Sequence, residues 1–123
     1  MKVLIVDDEA DIRRIGELSL QSVGGWDVLL AESGAQGMES AKAHNPDLIL
    51  MDMMMPEMDG LTVLRQIRMD PELESTPVIF MTAKVQRDEV ARYLEAGAAG
   101  VVHKPFDPMT LPDEIRRILE QGN

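Results

Sequence analysis

A chain of 123 residues is long enough for one domain with a single buried core. Hydrophobic residues make up 45% and charged residues 28%, there is no cysteine, and the net charge is −10. That composition excludes disulfides and thiolate metal sites, and without a basic cluster it argues against nucleic-acid binding by this chain alone.

The first apolar run, residues 3–6, is far too short for a signal-peptide core or a membrane span, and reads as a buried strand. It ends in Asp7-Asp8-Glu9, an acidic start for a helix over 9–22 that stops at Gly24-Gly25. Residues 28–31 read as a second strand opened by Trp26, and 34–44 as a helix stopping before Asn45-Pro46. The third run, 48–51, ends in Asp52. A helix over 60–69 carries Val63, Leu64 and Ile67 on one face and stops before Asp70-Pro71. The fourth run, 78–81, ends in Thr82, and the helix after it, 86–96, carries Val90 and Leu94 and ends at Gly97. Residues 101–102 form a short last strand followed by His103-Lys104-Pro105. The last helix, 108–121, shows Leu111, Ile115, Ile118 and Leu119 at helical spacing, with Asp107 as N-cap and Pro108 at the first helical position. Residues 122–123 are read as a tail.

Each strand candidate is near-continuously apolar rather than alternating, which is the pattern of a strand covered on both faces. Five such strands alternating with five helices predict one α/β domain over residues 1–121, with a parallel sheet between two helical layers. In such sheets ligands bind outside the carboxyl ends of the strands. Asp7, Asp8 and Glu9, then Asp52, Thr82 and Lys104, follow those ends, and three carboxylates, one hydroxyl and one ammonium are expected to share one crevice. Singly, each has an ordinary role as a helix-start acid, a turn residue, a cap or a surface charge. Together the carboxylates repel one another. A hard divalent cation such as Mg²⁺ relieves that conflict, since it takes oxygen ligands and pairs one or two carboxylates with phosphate.

The strings LIVDDE (4–9), DMMMPEMDG (52–60), MTA (81–83), EAGAAG (95–100) and HKPFDP (103–108) resemble, in order and spacing, the receiver domain of bacterial two-component response regulators. The resemblance spans the whole chain. It implies a flavodoxin-like fold with strand order 2-1-3-4-5 and a cis Lys104–Pro105 bond. It implies that Asp52 is the phospho-acceptor and that Asp7 and Asp8 form the family's acidic pair. Mg²⁺ would be held by Asp8, Asp52 and the backbone carbonyl of Met54, with Asp7 acting through water. Thr82 and Lys104 would bind the phosphoryl group. The implied donor is a sensor histidine kinase or phosphotransfer protein, with Arg13, Arg14 and the loop around Pro105 facing it. The implied output is binding of a downstream protein by a cytoplasmic monomer or weak phosphorylation-dependent dimer, with no membrane contact. The only chemistry implied is self-catalysed phosphorylation and dephosphorylation.

Two features depart from the family pattern. Val101 stands where an aromatic residue usually reports the movement of the threonine. Met53, Met54 and Met55 follow the acceptor; their ordinary reading is strand-end packing and loop filling, and the sharper one is that Met54 shields an acyl phosphate, which Lys84, two residues after Thr82, would oppose by holding a water or the phosphoryl group. Other function classes lack their chemistry. A phosphohydrolase would need an acid two residues after the nucleophile, where Met54 stands, and a flavin carrier would need a Gly/Ser/Thr-rich phosphate loop after the first strand, where acids stand.

Overall fold

The five apolar runs become five strands in a computed structural model that describes residues 1–121. They are β1 (Lys2–Val6), β2 (Asp27–Ala31), β3 (Leu48–Asp52), β4 (Val78–Thr82) and β5 (Gly100–His103). All pair in parallel, in the order β2-β1-β3-β4-β5. The helices are α1 (Ala10–Leu18), α2 (Gly34–His44), α3 (Gly60–Met69), α4 (Arg87–Glu95) and α5 (Leu111–Gln121). The predicted tail, 122–123, lies outside the described residues. No helix among the described residues is long and apolar enough to cross a membrane.

Strand side chains alternate between faces, so the sheet separates two cores. On one face Leu4, Val6, Ile49, Met51 and Phe80 pack with Leu64 and Ile67 of α3 and Tyr93 of α4. On the other Val3, Ile5, Leu50, Ile79 and Met81 pack with Leu20, Leu111 and Ile115. Every residue of β3 and β4 is buried, which is why their sequences show no polar alternation. Burying one such side chain contributes about 1.5–3 kcal/mol. The apolar anchor of α4 is Tyr93 rather than the predicted Leu94, which is exposed. Tyr93 meets Phe80 edge-on, with ring centroids 5.5 Å apart.

Two helix ends differ from the sequence reading. The first helix stops being α-helical after Leu18 and continues as a π-helical turn, Ser19–Val23. Gly25 then takes φ +72, a conformation natural to glycine, and ends it as predicted. The regular part of the last helix begins at Leu111, three residues after the predicted start at Pro108. Asp107 caps the turn that leads into it, accepting from the Met109 N–H through Oδ1 at 2.9 Å and from the Leu111 N–H through its carbonyl at 2.9 Å. The start is delayed because Pro112, second in the helix, has no N–H to give the Pro108 carbonyl. The hydroxyl of Ser19, which is buried, donates to that carbonyl instead. The π-helical turn and the start of α5 are thereby joined.

One long side chain fastens three segments on the opposite side. Arg68 of α3 donates from Nη1 to the carbonyls of Glu74 and Thr76 at 3.1 and 2.8 Å, and from Nη2 to the Gly97 carbonyl at 2.9 Å. Gly97 follows α4 at φ +110, and a Cβ there would lie 3.1 Å from Arg68 Nε.

Candidate functional site

The register places the acids. Val6 pairs with Met51, so Asp7 and Asp52 emerge side by side from the ends of β1 and β3. Thr82 pairs with His103, and the Lys104 N–H donates to the Thr82 carbonyl at 2.9 Å, which fixes Lys104 across the same edge. The chain leaves β3 through a loop closed by the Gly60 N–H, which donates to the Met53 carbonyl at 2.9 Å. A Cβ on Gly60 would lie 2.7 Å from Phe80 Cε1, so the loop after Asp52 needs glycine there. The Lys104–Pro105 bond is cis, as the sequence led one to expect.

Asp7, Asp52 and Thr82 are among the few buried polar residues: 0%, 3% and 2% exposed. Lys104 Nζ lies 2.9 Å from Asp7 Oδ2, 3.3 Å from Asp52 Oδ1 and 3.7 Å from Glu9 Oε1. Asp7 Oδ1 accepts from the Glu9 N–H at 2.8 Å, so both of its oxygens are engaged within the protein. Asp8 is exposed at the mouth. Carboxylate oxygens of Asp7, Asp8, Glu9 and Asp52 all lie within 4.8 Å of one another. Four hard oxygen donors around one point suit Mg²⁺ and fit no soft metal.

The electrostatics follow from this crowding. Burial, then the negative charge of Asp7, push the Asp52 carboxyl up to about 7, against the opposing pull of Lys104 and the Met54 N–H. Burial alone would lower the Lys104 pKa, but its hydrogen bond to Asp7 and the charges of Asp52 and Asp7 outweigh this and hold it above the usual lysine range. Thr82 Oγ1 accepts from the Lys84 N–H at 3.0 Å, which leaves its O–H free to donate into the site.

The remaining predicted residues are distributed as follows. The Met54 N–H donates to Asp52 Oδ1 at 3.3 Å while the Met54 side chain is 63% exposed. Met54 and Lys84 line one small crevice of about 140 Å³ between the loop after Asp52 and α4, with Asp59, Glu89, Arg92 and Tyr93. Val101 is half-buried beside Phe80 and packs against the core that contains Tyr93. His103 is exposed. Arg14 is exposed, but Arg13 is not a free surface cation: its Nη1 donates to the Asp7 carbonyl at 2.8 Å and its Nη2 lies 3.5 Å from Glu32 Oε2. Glu9 as a fourth acid and Arg13 as a brace for Asp7 were not assigned from the sequence. The helical spacing of Glu9 and Arg13, with the Arg13 N–H donating to the Glu9 carbonyl at 3.1 Å, was the available signal.

Residues 3–116 match the family described as the response regulator receiver domain. The chain is 36% identical to Chemotaxis protein CheY of Pseudomonas aeruginosa over 123 residues, covering 100% of this chain and 99% of that protein. It is 38% identical over 120 residues to Probable transcriptional regulator ycf27 of Porphyridium aerugineum, covering 98% of this chain but only 48% of that longer protein. Its fold superposes with a TM-score of 0.89 on the chemotaxis response regulator CheY4 of Vibrio cholerae, at 32% identity and covering 95% of this chain and 97% of that one.

Proposed function

The chain belongs to the response regulator receiver domain family, and from that premise we propose that Asp52 accepts a phosphoryl group and that the resulting charge switches a protein-binding surface. The observation that carries this reading is Lys104 Nζ, 2.9 Å from Asp7 and 3.3 Å from Asp52, beside a buried threonine on the next strand end. Receiver domains relay signals from histidine kinases to downstream targets. For this chain the donor is then a phosphohistidine or a small acyl phosphate.

An Asp52 oxygen attacks phosphorus, the new O–P bond forms as the P–N or P–O bond to the donor breaks, and the electron pair leaves with the donor. Lys104 is placed to meet the charge on the transferring oxygens, and the Thr82 hydroxyl to donate to one of them. Positioning and fixed charge supply the catalysis. Asp8, Asp52 and the Met54 carbonyl would hold Mg²⁺, with Asp7 held back by its two internal bonds. When bound, the ion offsets the negative charge of the carboxylates and of the phosphoryl group. The product adds charge and acceptor oxygens at the strand ends. Thr82 and Lys104 reorganise around them, and α4, β5 and α5 carry the change outward. Turning such a switch from 1% to 99% active takes about 5.5 kcal/mol of differential stabilisation.

The direct test is intact-mass spectrometry after incubation with acetyl phosphate and Mg²⁺. One phosphoryl group is expected on the native chain and none on Asp52→Asn; full labelling of the variant would assign the acceptor elsewhere. A second expectation concerns the ion. Asp8→Ala removes an exposed ligand without opening a cavity, so calorimetry should show Mg²⁺ affinity falling by at least about tenfold, the range seen when coordination shells are disturbed. Equal affinities would remove Asp8 from the ligand set.

A further inference from the structure

Three of the ten methionines follow the acceptor without interruption. Met53 and Met55 are 4% and 8% exposed, whereas Met54 is 63% exposed. Its backbone N–H donates to Asp52 Oδ1 at 3.3 Å, which holds the Met54 backbone against the acceptor carboxylate. The crevice that Met54 lines also holds Lys84 and Arg92. Neither is in an ion pair among the described residues. A thioether offers no hydrogen to bond and accepts weakly, so these two cations have no use for it as it stands. A sulfoxide is polar, and its oxygen is a good acceptor.

We propose that Met54 is a redox-modification site, at which a peroxide converts the thioether to a sulfoxide and shortens the life of the phosphorylated state. The sulfur lone pair attacks one peroxide oxygen; the S–O bond forms as the O–O bond breaks, and the departing oxygen takes up the proton left on the transferred one and leaves as water. Sulfur is oxidised by two electrons and the peroxide is reduced by two. The inference rests on the reading of Asp52 as acceptor.

The consequence for the acyl phosphate has one direction. The unmodified side chain, two residues along the chain from Asp52, is apolar and gives an attacking water nothing to bond. The sulfoxide oxygen accepts from water and from Lys84 or Arg92, in a crevice those cations share with the acids Asp59 and Glu89. Met53 and Met55 are shielded by burial. Met69 and Met109, 80% and 68% exposed, react as well, but neither lines the crevice, so their oxidation leaves the phosphoryl group alone.

The test uses the full chain with and without hydrogen peroxide treatment. Peptide mass mapping places the added oxygen. Both samples are then loaded with acetyl phosphate and Mg²⁺, the donor is removed, and decay is followed by intact mass. Treated protein should carry sulfoxide at Met54 and decay roughly fivefold faster. A methionine sulfoxide reductase should restore the slow rate. Met54→Leu should decay at one rate with or without peroxide, and the Met69→Leu/Met109→Leu double variant should respond as the native chain does. A Met54 that stays reduced while Met69 oxidises, an unchanged decay, or equal acceleration in Met54→Leu would each overturn the proposal. An untreated chain that takes up no phosphoryl group would instead overturn the acceptor reading, and this inference with it.

Discussion

Replacing Asp52 with asparagine should make the metal-free protein more stable, and increasingly so as pH rises. In the folded chain the Asp52 carboxyl titrates near 7, against 3.8 for an ordinary aspartate, because burial and Asp7 disfavour its charge. A pKa raised by folding means that the native state binds the extra proton. The stability this confers is complete below 3.8 and is lost as pH climbs through about 7, so above 7 the native chain carries the whole penalty of a buried, crowded carboxylate. Asparagine keeps the shape and cannot ionise, and Lys104 retains Asp7 at 2.9 Å as its partner. Allowing for solvent screening at the open mouth, the gain above pH 7 is on the order of 2 kcal/mol. For a domain of this size that is about 8 °C in Tm. Thermal melts of both proteins across this pH range, with and without Mg²⁺, check it. The gap should close toward acid and shrink when Mg²⁺ is added to the native chain. A gap independent of pH would mean that Asp52 is not strained by its charge.

Arg68→Ala should have the largest destabilising effect of any change outside the two cores. It removes all three of the guanidinium's carbonyl bonds at once, to Glu74, Thr76 and Gly97. Bonds from a charged donor are worth more than neutral ones, and the bond to the Thr76 carbonyl is partly buried. The expected loss is about 3 kcal/mol, or about 12 °C in Tm. Arg68→Lys should recover little, because an ammonium on a flexible stem cannot reproduce a planar fork that meets carbonyls from two sides. Denaturant unfolding of the two variants is the measurement. Full rescue by lysine would show that charge alone, rather than the fork, holds the segments.

The residues themselves explain what could be read in advance. Strands were legible because β3 and β4 are buried on both faces, so their sequences show unbroken apolar runs. The site was legible because parallel strands end together, which turns scattered acids, a threonine and a lysine into one cluster. The start of α5 was not, because Pro108 and Pro112 are competing start signals four residues apart. Ser19, far away in sequence, is bonded to the carbonyl that the second proline leaves free. The widening of the first helix into a π-helical turn left no compositional trace. Arg68 was missed for a related reason: its partners are backbone carbonyls, which every residue has, so no pattern of side chains announces them. Leu94 was preferred to Tyr93 because hydropathy favours leucine, whereas the core gives that place to the ring that meets Phe80 edge-on.

The fastening of Gly97 by Arg68 also fixes how α4 can move. One end of the helix is pinned to α3 through the Gly97 carbonyl, while at the other the Gln86 cap makes no side-chain bond and the chain runs straight back to Thr82. With a single fixed end, a displacement arriving from Thr82 becomes a swing rather than a slide. Nine residues at 1.5 Å each make an arm of about 13 Å, so a shift of about 1 Å at the near end tilts the helix by about 4°. The outer face of α4 then turns most where it is closest to the strand end at Thr82 and hardly at all at Gly97. A partner that reads the switch should therefore grip the first turn of α4, around Arg87 and Asp88, and find the last turn unchanged.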